Sequence, residues 1–89
     1  MLFMIVTTWE PDKRDKVTQR AIEAEKESFE GVKVIGRWPA IGGCRGFSLI
    51  EATDPMAALA ASRFWGDLMK MEVVPVIDFE EAMKALKSR

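Results

Sequence analysis

MLFMIVTTW, residues 1–9, is the stretch that decides the fold. It is rich in β-branched and aromatic side chains and reads as a strand. Strand geometry sends Leu2, Met4, Val6 and Thr8 to one side and Phe3, Ile5, Thr7 and Trp9 to the other. A strand with one wet face alternates apolar with polar residues, and this one is largely apolar on both sides. The layer it belongs to therefore needs a cover on each face.

Downstream, PDKRDKVTQRAIEAEKESFEG places Pro11 at a first helical position and Gly31 just past the end. At 100° per residue, Val17, Ala21, Ala24 and Ser28 share a stripe of small side chains, with Ile22 and Phe29 at its edge. Lys13, Lys16, Arg20, Glu23 and Glu27 fall opposite, and Arg14 and Glu25 reach out from the stripe's border. VKVIGRW and RGFSLIEAT read as second and third strands around a turn in PAIGGC, where Gly42-Gly43 supplies positive φ cheaply. Asp54 and Pro55 then have the chemistry of an N-cap and a first helical residue. The helix they open is expected to run to Met69, with Ala57, Ala58, Ala61, Phe64, Trp65, Leu68 and Met69 on one face. MEVVPVIDF is the fourth strand, and Pro75, which has no N–H for a ladder, places it at an edge. Asp78 and Glu81 resemble a capping box for a terminal helix with Ala82, Met83 and Leu86 on its apolar side.

The order β-α-β-β-α-β plus a terminal helix is the split β-α-β pattern of ferredoxin-like α+β folds: one domain over 1–89, an antiparallel sheet in spatial order 4-1-3-2, two helices on one face. The other face stays apolar, and a patch of that size is unusual on a monomer. A second copy packed sheet against sheet answers this, so the expected assembly is a homodimer, a dimeric α+β barrel.

Composition narrows the function classes. The net charge of −1 gives no basic field for nucleic acid and no polybasic membrane patch. No apolar run approaches the ~20 residues of a membrane span, and the first six residues are too few for a signal core. A lone cysteine, Cys44, forms no internal disulfide; together these point to a cytoplasmic protein. There is no His and no Tyr, which excludes Ser-His-Asp and Cys-His catalysis within the chain and His-ligated metal sites. No phosphate-binding glycine loop is present. No metal and no cofactor is expected.

The opening MLFMIVTTW, the GRW of the second strand, GFSLIEATDP and EVVPVIDFEEA together resemble the DUF3303 family of small proteins over nearly the whole chain. The resemblance implies a dimeric α+β barrel and assigns no reaction. Related barrels include cofactor-free monooxygenases, haem-degrading enzymes, muconolactone isomerases and ligand binders. The monooxygenases use Asn, Trp and His around their pocket, and this chain has neither Asn nor His.

Candidate site residues follow from charge and ring placement. From Val32 to Ile50 the chain holds Lys33, Arg37 and Arg45 and no acid. Converging, Arg37 and Arg45 would grip a carboxylate or phosphate, with Trp38 stacking on the ligand. Glu51, between Ile50 and Ala52 on the expected central strand, is the one candidate general base, or the ion-pair partner of Arg37 or Arg45. Cys44 beside Arg45 reads as an incidental thiol, having neither a base nor a resolving cysteine. Trp9 and Trp65 are candidate apolar walls. The expected function is binding of a small anionic or aromatic organic molecule. The alternatives are a cofactor-independent monooxygenase or isomerase using Glu51 with Arg37, and an assembly module with no ligand.

Overall fold

The computed structural model describes residues 1–24 and 29–88. Strand β1 (Leu2–Thr8) leads through a 3-10 turn (Pro11–Lys13) into helix α1 (Arg14–Ala24). Strands β2 (Val32–Pro39) and β3 (Arg45–Ala52) form a hairpin. Helix α2 (Pro55–Arg63), strand β4 (Lys70–Val76) and helix α3 (Phe79–Lys87) follow. The sheet is antiparallel throughout, in order β2-β3-β1-β4, which is the ferredoxin-like α+β arrangement. Pro75 lies on β4, an edge strand, where its missing N–H costs the ladder nothing.

Local chemistry sets most element boundaries. The Asp54 carboxylate accepts from the Ala57 N–H at 2.9 Å, and Pro55 opens α2. The Asp78 carboxylate accepts from the Glu81 N–H at 3.2 Å at the start of α3. The hairpin turn uses positive φ at Gly43 (84°) and Cys44 (59°). Gly31 (φ 77°) is packed so closely that a Cβ there would stand 2.7 Å from Thr53 Oγ1.

Two boundaries differ from the sequence expectation. Pro11 opens a 3-10 turn, and the α-helix proper starts only at Arg14. Glu25, Glu27 and Ser28, expected on the first helix, lie outside the described residues. α2 ends at Arg63, not at Met69, and turns carry the chain through 64–68. The helix tightens there into i→i−3 bonds, Trp65 N–H to the Ser62 carbonyl and Gly66 N–H to the Arg63 carbonyl. Arg20 ties these turns to α1: its guanidinium reaches the Phe64 carbonyl (2.8 Å) and the Asp67 carboxylate (Nη2–Oδ2 2.9 Å), and it sits 5.6 Å from the Phe64 ring centroid. The same contact corrects the reading of Arg20 as a residue of the helix's outer face.

The core lies between the sheet and α2. Phe3, Ile5, Ile50 and Ala52 pack beneath Ala58, each no more than 6% exposed. Together they cover the sheet end where β3 finishes. The opposite sheet face carries Leu2, Met4 and Val6, flanked by Phe47, Leu49 and Val74, all half-buried. None of the α3 residues is buried.

Candidate functional site

Small side chains shape the other half of the helix–sheet layer. Ala21 of α1, Ala61 of α2 and Gly46 of β3 all line a cleft of about 270 Å³. Trp9, Trp65, Phe29, Val17 and Met71 wall it, with Ile5, Val34 and Ile50 on its floor. Gly46 earns its place: a Cβ there would stand 2.9 Å from Thr7 Oγ1, whose hydroxyl donates to the Gly46 carbonyl at 3.3 Å.

Register decides which polar groups reach this space. Val32 and Val34 pair with Ala52 and Ile50, but the next pairs are Gly36 with Leu49 and Arg37 with Ser48. One extra residue, Ile35, is accommodated as a bulge. The offset turns Arg37 to the helix side, together with Val32 and Val34. Arg37 is the only charged side chain among the described lining residues, and it is exposed, so its guanidinium stands at the rim. Among the described residues no carboxylate pairs with it. One lining residue carries an unpaired polar group: Trp9 Nε1 is buried and meets no acceptor among the described residues, an uncommon and costly condition for an N–H.

The sequence candidates therefore divide. Arg37, Trp9 and Trp65 line the cleft together. Trp38 borders it, but its register with Phe47 places it on the open sheet face, where its ring lies over Gly36. Arg45 also faces the open side, with its guanidinium 5.0 Å from the Phe47 ring centroid, so the two arginines do not converge. Glu51 is on that side as well. Its position next to buried Ile50 and Ala52 does not bury it: its side chain is 49% exposed, and its carboxylate pairs at 2.7 Å with the Met1 ammonium, not with Arg37 or Arg45. Cys44 is half-buried in the hairpin turn. Sequence reading missed Ala21, Phe29 and Gly46 as site residues, while Met71 lines the cleft as one of the six methionines it offered as pocket lining. The signal for Ala21 and Gly46 was the recurrence of small residues on separate elements.

Among the described residues, no group of three or more His, Cys, Asp or Glu is placed to hold a metal ion, and no helix is long and apolar enough to cross a membrane. What the arrangement offers chemically is an apolar cleft with one cation at its rim. No carboxylate lines it among the described residues, so Glu51 stands apart from Arg37.

No curated protein and no solved structure matches this chain. A family model does, over residues 1–89, and its description is a domain of unknown function. With that match spanning every residue, the chain belongs to the DUF3303 family.

Proposed function

We propose that the chain binds a small apolar organic acid in the cleft between its helices and its sheet. The observation that carries this reading is Arg37, turned by the Ile35 bulge to the rim of a cleft with no other charge among its described lining residues. Apolar walls supply affinity for a hydrocarbon or aromatic body, and a cation at the rim selects the carboxylate. The size fits: dry cavities of about 150 Å³ already admit benzene, and about 270 Å³ has room for a ring with substituents.

The test is a titration with 4-tert-butylbenzoate and its neutral amide, followed by the indole resonances of the three tryptophans. The acid shifts the Trp9 and Trp65 signals at lower concentration than the amide. Because Arg37 is exposed, its preference is modest, about three- to tenfold, and it disappears in Arg37→Met. If neither compound moves those signals at millimolar concentration, the reading is wrong.

A further inference from the structure

Two aromatic walls of the cleft share a support that is not part of it. Phe29 and Trp65 line the space, whereas Phe64 is not among its described lining residues. The Phe64 ring meets both of them edge-on. Its centroid lies 5.4 Å from that of Phe29, with 67° between the ring planes, and 5.4 Å from that of Trp65, with 85° between them. Edge-to-face contact is a favoured geometry for aromatic pairs, and Phe64 is the ring the two walls have in common.

Phe64 is in turn held by Arg20. The guanidinium lies 5.6 Å from the ring centroid, within cation–π range. Nη1 donates to the Phe64 carbonyl at 2.8 Å, and the Asp67 carboxylate accepts from both Nη1 and Nη2. One planar group therefore fixes a ring, its backbone and the turn that follows. That turn has little else to hold it in place. α2 has ended at Arg63, and the Trp65 and Gly66 N–H groups close only tight turns onto Ser62 and Arg63, whose hydrogen bonds are poorer than those of an α-helix. The Arg20 side chain is 27% exposed, so water competes for its contacts less than at an open surface pair. Trp9, another wall of the cleft, has a separate anchor: its backbone N–H donates to the Cys44 carbonyl of the hairpin turn at 3.1 Å.

We propose that Arg20 is a positioning residue for the cleft. Through Phe64 it sets where the Phe29 and Trp65 rings stand, and so sets the affinity for an apolar body whatever the charge of the guest. Arg37 sets the preference for an acid, so the two arginines act on separate properties of the guest. The role calls for a guanidinium. A Lys ammonium is a point charge, with no flat face to lie against a ring and no fork to match a carboxylate. The inference rests on the binding reading of the cleft, and its test distinguishes the two.

The experiment is the indole-detected titration with 4-tert-butylbenzoate and its amide, applied to Arg20→Met, Arg20→Lys and Lys16→Met at a temperature where urea curves show every variant folded. Lys16 is exposed on the same helix, so its variant removes a positive charge from α1 and keeps the Arg20 contacts. In guest-free Arg20→Met the Trp65 signal moves and the Trp9 signal stays, a split that general loss of stability does not produce. Both compounds bind about three- to tenfold more weakly, the worth of one misplaced aromatic contact, and the ratio of acid to amide affinity is unchanged. Arg20→Lys follows Arg20→Met, and Lys16→Met follows the wild type. If the wild type binds and Arg20→Met binds both compounds as tightly, the inference is overturned and the cleft reading stands. The same holds if Lys16→Met weakens binding equally, or if Arg20→Met changes the ratio of acid to amide. A wild type that binds neither compound overturns both.

Discussion

Filling the cleft separates a binding site from a packing defect, and Ala61→Leu is the substitution that does it. Ala61 lines the space from α2, and Ala21 lines it from α1. Leucine adds three carbons, each contributing about 0.8 kcal/mol when moved from water into apolar surroundings, roughly 2.4 kcal/mol together. Fixing its rotamer costs about 0.5–1 kcal/mol. The net gain is about 1.5 kcal/mol, inside the range usual for cavity-filling changes. For a domain of this size that is a rise in Tm of about 6–12 °C. The same methyl groups take the space a guest would use, so binding of 4-tert-butylbenzoate weakens at least about tenfold, or 1.4 kcal/mol. Differential scanning fluorimetry and the indole titration, run on the same samples, read both effects. Stability and affinity must move in opposite directions. A variant whose Tm falls or stays fixed while it binds as before would show that the space neither accepts a side chain nor holds the guest, and the reasoning from the cleft would fail.

Two further outcomes test the frame that holds the cleft. Gly31→Ala places a Cβ 2.7 Å from Thr53 Oγ1 and 3.3 Å from Ala57 Cβ at positive φ, so the left-handed backbone cost and the overpacking combine to about 2–4 kcal/mol in urea denaturation. Gly43→Ala, also at positive φ but with nothing within 4 Å, carries the backbone cost alone, about 1–2 kcal/mol, and equal losses at the two positions would refute the steric part. The hydrogen-bonded Arg20 guanidinium holds the Asp67 carboxyl below the usual carboxylate range, so its stabilising contribution is present above that range and is lost as pH falls through the lowered folded value. The urea midpoint of the wild type therefore drops more between pH 6 and pH 3 than that of Asp67→Asn, and parallel pH curves for the two would count against the pair.

The sheet order was legible because its determinants are local. Apolar character on both sides of residues 2–9, the Asp54-Pro55 start signal and the missing N–H of Pro75 each constrain an element without reference to the rest of the chain. The end of α2 was not legible: no proline marks it, and the Arg20 guanidinium that ties the turns after it to α1 comes from 44 residues away. Glu51 shows a different limit. Alternation assigns a residue to a face, not to a depth, and the face Glu51 belongs to is the one the helices leave open. The cleft is lined by small residues from three elements, Ala21, Gly46 and Ala61. Each small residue alone is unremarkable, and only the packed layer shows that nothing larger fills the gap. Of the two arginines singled out by their acid-free surroundings, strict alternation along β2 would have set Arg37 beside Lys33. The bulge reverses that.

The extra residue at position 35 makes strand spacing the selector of what guards the entrance. A chain without Ile35 would run as a regular strand and keep the guanidinium inward, so shortening there is harmless to the rim. One residue inserted between Gly36 and Arg37 would instead rotate the cation outward and swing the indole of Trp38 toward the guests. The proposed preference for charged over neutral molecules would then be rewritten by a single added codon, with no existing residue replaced.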